Sequence, residues 1–202
     1  MTPLILASTS AARKSLLAQA GLTFASLAAP VDERALEAPL IAAGEPSEAI
    51  ALALARAKAE AVLALRPGAV VIGADQVLDL DGRRLVKPGD RDGARRQIIE
   101  LQGRTHRLVS AVVVAEGTGI AWQHLSEARL TMRPLSPAAI ERYLDEAGGG
   151  IFGSVGAYHL EGVGVRLFEA IEGDYFTILG LPLLPLIGWL RARGLIDQET
   201  TP

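Results

Sequence analysis

The segment Ser8-Thr9-Ser10-Ala11-Ala12-Arg13-Lys14-Ser15 sets hydroxyls where an apolar run, Leu4 to Ala7, gives way to a helix-like run, Ala11 to Gly21. Free backbone N–H groups, the helix dipole and a guanidinium together make an anion site. Helix capping by Ser10 accounts for the hydroxyls alone. It does not account for two cations in the first turn, which are unfavourable there unless an anion offsets them. A phosphate group is the anion this pattern suits.

A second group is acidic. The apolar run Ala69 to Ala74 leads straight into Asp75-Gln76, which would place a carboxylate at the carboxyl end of a strand, where open α/β folds build their sites. A turn or cap aspartate is the plainer alternative. Asp32-Glu33, in the expected loop Pro30 to Arg34, supplies a second acidic pair. Carboxylates from two such segments could share one Mg2+ or Mn2+, with water and phosphate oxygens completing the shell. Lys58 on a helix and Lys87 in Val86-Lys87-Pro88 are candidate cations. The glycine-dense stretch Gly156 to Gly164 permits close approach of a flat or anionic ligand, or forms a bulged strand.

The elements that must position these groups alternate. Expected strands cover Leu4–Ala7, Leu22–Ala29, Ala69–Ala74, Thr105–Glu116, Ile120–Leu135 and the Gly-rich Ala157–Phe168. Expected helices cover 11–21, 46–65, 90–101, 136–147 and 181–193. Asp81-Gly82 between two short apolar runs is a hairpin signal. Helices alternating with strands, and hairpins in the middle, argue for an α/β fold: a layered αβα arrangement with a mixed, elongated twisted sheet and a cleft between two lobes. The whole chain, 1–202, is expected to be a single domain whose two lobes share one sheet, with residues from about 197 to 202 a frayed tail.

Composition removes other classes. The 202 residues are 50% hydrophobic and 21% charged, so disorder is excluded. With no cysteine, a thiol nucleophile and cysteine-ligated metals are excluded. A net charge of −3 and 4% aromatics argue against nucleic-acid binding. The longest apolar stretch, Ile178 to Leu190, is broken by Gly and Pro and is shorter than the roughly 18–20 residues of a membrane span. The expected location is cytoplasmic, without membrane or nucleic-acid partners. His106, His124 and His159 lack metal spacing and read as polar or packing residues. No Walker A, Gly-x-Gly-x-x-Gly, His-Glu-x-x-His or Gly-x-Ser-x-Gly motif is present.

Taken in order and spacing, the stretches LILASTSAARKSLLAQAGL, VDE, ALARAKAEAV, GADQVLDLDGRRLVKP, LQGRTHRLVSAVVV and GVGVRLFEAIEGDYFTILGLPL resemble the Maf family of nucleoside triphosphate pyrophosphatases, over nearly the whole chain. The resemblance implies a homodimeric, metal-dependent hydrolase that splits modified or non-standard nucleoside triphosphates into monophosphate and pyrophosphate. It makes Asp75 the proton acceptor. Ser8, Ser10, Arg13, Lys58 and Lys87 would bind substrate phosphates, and Glu33 and Asp75 would hold Mg2+, Mn2+ or Co2+. It assigns substrate choice to Ala12, Gln76 and Glu161. Gln76 and Glu161 look like the subgroup acting on 7-methyl-GTP, whereas Ala12 stands where that subgroup carries tryptophan. The rival expectation is a nucleotide-binding regulator of septum formation and cell division without essential catalysis.

Overall fold

The computed structural model describes residues 2–196; the expected frayed tail at 197–202 lies outside them. In chain order the elements are β1 (Leu4–Leu6), α1 (Ala11–Gln19), β2 (Ala25–Ser26), α2 (Glu33–Ala42), α3 (Ser47–Leu65), β3 (Val70–Leu80), β4 (Arg83–Leu85), α4 (Arg91–Leu101), β5 (Thr105–Glu116), β6 (Gly119–Met132), α5 (Pro137–Ala147), β7 (Phe168–Glu172), α6 (Tyr175–Ile178) and α7 (Leu183–Ala192). The strands form one seven-stranded sheet in the order β2-β1-β3-β5-β6-β7, with β4 also pairing β3. β1 runs parallel to β2 and β3, while β4 on β3 and β7 on β6 are antiparallel. The fold is therefore α/β with a mixed sheet. Among the described residues no helix is long and apolar enough to cross a membrane.

The chain divides into two compact units, Met1–Gln76 with Ser110–Ser126 and Tyr175–Pro202, and Val77–Val109 with Glu127–Asp174. In the first, the pleat of β3 sorts side chains by period two. Val70, Ile72 and Ala74 join Leu6, Val112 and Val114 in a core closed by Leu16 and Leu17 of α1 and Leu183, Leu186 and Leu190 of α7. Gly73 faces the other way, onto α3. A Cβ there would lie 2.2 Å from the Ala55 carbonyl oxygen and 2.8 Å from the Ala59 nitrogen. The alanine face of α3 and this glycine bring helix backbone against strand backbone.

In the second unit, Asp81 (φ 53°) and Gly82 (φ 82°) turn the β3–β4 hairpin, as the sequence suggests. Glu141 on α5 accepts from Arg95 (2.5 Å and 3.0 Å) and Arg91 (3.0 Å) of α4. These bonds hold its carboxyl down at about 2. His106 is 1% exposed, and its Nε2 meets the Tyr158 hydroxyl at 2.7 Å.

Four expected elements differ. β3 does not stop at Ala74 but runs to Leu80, because Val77, Leu78 and Leu80 are also buried and β4 pairs with that half. The expected acidic loop at Asp32-Glu33 begins α2 instead: the Asp32 side chain accepts from the Ala35 amide and caps a helix that tolerates Pro39 inside it. The run Leu22–Ala29 pairs only at Ala25 and Ser26, since it lies at the sheet edge beyond a three-residue β1. The Gly-rich 157–168 segment is not a strand. It folds into turns and a 3-10 helix, Val163–Leu167, entered after Ala157 in the left-handed region (φ 58°).

Two outcomes follow. Gly73→Ala drives a methyl into α3 backbone and is expected to cost about 1–3 kcal/mol, read as a lower urea midpoint. Burial pushes the His106 imidazole down from 6.5 to about 4. Between those values the unfolded chain takes up a proton that the native one refuses. The contribution of neutral His106 is complete above pH 6.5 and drains away as pH falls to 4, a loss on the order of 3 kcal/mol. Urea melts of wild type and His106→Phe across that range should converge in acid.

Candidate active site

The register of β1 on β3 builds the site. Leu6 pairs with Ile72, and the Ala7 amide donates to the Ile72 carbonyl at 2.8 Å. Beyond that pair the chain after β1 leads through Ser8 into α1, while β3 runs on through Ala74 to Asp75. Ser8 is held from both sides. Its carbonyl accepts from the Ser26 hydroxyl at 2.7 Å, and its Oγ accepts from the Ser10 amide at 3.2 Å. Ser10 caps α1, its Oγ accepting from the Arg13 amide at 3.4 Å.

Arg13 turns back over this cap. Its Nε donates to the Gly180 carbonyl at 2.7 Å, and one Nη donates to Ser8 Oγ at 3.4 Å. Burial pulls the guanidinium below its ordinary value, and the charges of Asp75 and Glu33 push it back up. A half-buried cation that meets one carbonyl and one hydroxyl gains from an anionic ligand. The helix N-terminus beside it adds to that preference.

Asp75 follows Gly73 on the α3 face of β3. There the Lys58 ammonium lies 2.6 Å from Asp75 Oδ1 and 2.9 Å from Glu33 Oε1. The lysine and aspartate side chains are only 10% and 9% exposed, whereas Glu33 is 51% exposed. Lys58 thus sits between the two carboxylates rather than reaching into open solvent. Glu33 stands at the first position of α2 beyond its Asp32 cap, so the misread loop still delivers this carboxylate to the cluster.

Gln76 points to the opposite face. Its Nε2 lies 3.0 Å from Ser110 Oγ, 2.9 Å from the Thr177 carbonyl and 3.0 Å from that of Ile178. Ser110 Oγ also donates to the Thr177 carbonyl at 2.8 Å. The Gln76 amide therefore pins the α6 turn whose Gly180 holds Arg13. Sequence reading missed Ser26, Ser110, Thr177 and Gly180. The signal was faint: buried hydroxyls next to a glycine at φ 84°.

Ser8, Ser10, Arg13, Glu33, Lys58, Asp75 and Gln76 belong to the first unit, as does half-buried Ala12 on α1. Lys87 and Glu161 belong to the second: Lys87 is exposed after β4, and Glu161 is exposed in the turn after Leu160. Among the described residues no third carboxylate or histidine joins Glu33 and Asp75 as a metal-binding group. Their oxygens are of the hard type divalent cations take, and one oxygen of each is paired with the Lys58 ammonium.

Residues 3–193 match the Maf-like protein family, and the chain belongs to it. A protein from Mesorhizobium japonicum named 7-methyl-GTP pyrophosphatase is 52% identical over 96% of this chain and 98% of its own. One of the same name from Rhizobium etli is 52% identical over 98% and 100%. A Bradyrhizobium diazoefficiens protein named nucleoside triphosphate pyrophosphatase is 53% identical over 96% of each chain.

Lys58→Met leaves Asp75 buried without its counter-charge and is expected to cost about 3–5 kcal/mol. Adding Asp75→Asn should recover a measurable part of that loss, read as a coupling energy from urea melts of the four-member cycle.

Proposed function

We propose that this protein hydrolyses the bond between the α- and β-phosphates of a nucleoside triphosphate, releasing the monophosphate and pyrophosphate. The observation that carries the reading is the Lys58 ammonium clamped between Asp75 and Glu33, with a half-buried guanidinium, Arg13, in the field of both carboxylates. The names of the relatives agree with it.

In this reading the triphosphate lies along Ser8, Ser10, Arg13 and the first turn of α1; the resemblance adds Lys87 as a further phosphate ligand. Asp75 orients a water and takes its proton as the water oxygen attacks the α-phosphorus in line. The bond to the bridging oxygen breaks, and pyrophosphate leaves with the electron pair. Lys58 holds the Asp75 carboxylate in place and balances charge as the proton moves. Glu33 and Asp75 would hold Mg2+, Mn2+ or Co2+, which supplies neutralisation of phosphate charge when bound. Most of the acceleration comes from positioning and electrostatics.

The family resemblance assigns the choice of base to Ala12, Gln76 and Glu161. Glu161 offers a carboxylate to guanine N1–H and N2–H2, the chemistry a 7-methyl-GTP substrate presents. Gln76 contributes through Oε1, because its amide hydrogens already serve Ser110, Thr177 and Ile178.

Purified protein is assayed for pyrophosphate release from 7-methyl-GTP, dTTP, UTP and CTP with Mn2+. Turnover is expected with 7-methyl-GTP preferred, and Asp75→Asn should lower kcat by about 10²–10⁴-fold. Glu161→Ala should erode the purine preference while sparing pyrimidine turnover. An Asp75→Asn enzyme running near the wild-type rate would remove Asp75 from its role. A wild type that binds nucleotides and releases no pyrophosphate from any of them would overturn the reading as an enzyme.

A further inference from the structure

We infer that the second unit carries a separate binding pocket for a small inorganic oxyanion of the phosphate or pyrophosphate class. A cavity of about 210 Å³ is lined by Arg133, Arg142 and Arg166, with Glu146, Tyr143 and Leu167 among its other walls. It shares no residue with the Arg13–Lys58–Asp75 cluster. Three guanidinium groups face one carboxylate, an excess of two positive charges in a chain whose net charge is −3.

The arginines are not equivalent, and their differences point to a ligand. Arg133, just past β6, donates Nε to the Arg166 carbonyl at 2.8 Å. Arg166 donates Nε to the Val163 carbonyl at 3.4 Å and pairs with Glu146. Both arginines are exposed, and each is tethered through Nε to a backbone carbonyl, Arg133 the more closely, so less rotamer freedom is lost when an anion arrives. The outer nitrogens of Arg133 remain available. Arg142, on the same face of α5 as Glu146, has no hydrogen bond or ion pair among the described residues. Planar N–H pairs of this kind match the oxygens of a phosphoryl group two at a time.

Size and lining select the ligand. The cavity is smaller than the roughly 300–1,000 Å³ of ordinary small-molecule sites. The one aromatic wall, Tyr143, is buried and donates its hydroxyl to the Ala157 carbonyl at 2.9 Å, leaving no open ring face for a nucleobase. A compact dianion satisfies the charge excess without a base to stack.

The test is a two-dimensional amide NMR titration of the full chain with sodium pyrophosphate and, separately, orthophosphate, against sodium chloride at matched ionic strength. Saturable shifts of the Ala139, Tyr143 and Leu167 amides are expected with the phosphoryl anions and not with chloride. Arg142→Gln, at an exposed position, should weaken that binding at least tenfold, and Glu146→Gln should tighten it several-fold. The proposal is overturned by shifts that chloride reproduces, by their absence at millimolar anion, or by affinities that neither variant changes. Product binding at the catalytic cluster would move the Ser10 and Arg13 amides instead, so either site can fail without the other.

Discussion

Burying an ammonium between strand and helix is costly unless carboxylates come with it. At Lys58 they do, and that requirement organises the first unit. The lysine needs Asp75 at 2.6 Å, which demands that β3 carry its odd-numbered residues toward α3. It needs Glu33 at 2.9 Å, which demands that α2 begin where it does. The close approach itself depends on Gly73, because any larger residue would lift the strand off Ala55 and Ala59. Three segments distant in sequence are thereby locked to one charge, and Arg13 feels the same two carboxylates.

The two faces of β3 do different work within one residue step. Asp75 turns to α3 and joins ions. Gln76 turns to the α6 side and joins backbone carbonyls. The first arrangement holds reactive charge in place; the second holds the turn that holds Arg13. A substitution at Gln76 therefore reaches Arg13 as well, through Thr177, Ile178 and Gly180. The glutamine and the arginine are mechanically tied through this turn.

Much of this could be read beforehand. Ser136-Pro137 opens α5 and Asp81-Gly82 turns a hairpin as their residue types require, since caps and tight turns are local. The gathering of Ser8, Ser10 and Arg13 at the start of α1 was legible for the same reason: hydroxyls, cations and a helix start are adjacent in sequence. What escaped were properties set at long range. Asp75 reads as a strand terminus until the buried Val77–Leu80 half and its partner β4 are seen. Asp32-Glu33 reads as an acidic loop at a strand end, yet Asp32 caps a helix that continues through Pro39. The glycines after Ala157 suit a strand by spacing, yet a left-handed Ala157 and successive 3-10 turns replace it. The sharing of Lys58 by two carboxylates leaves no trace in spacing at all.

The bond from Arg13 Nε to the Gly180 carbonyl ties residues 167 positions apart. During synthesis, the hydroxyls and cations around α1 emerge long before Gly180, which follows α6. A nascent chain halted before Tyr175 would carry most of the ionic cluster but lack the wall that braces its guanidinium.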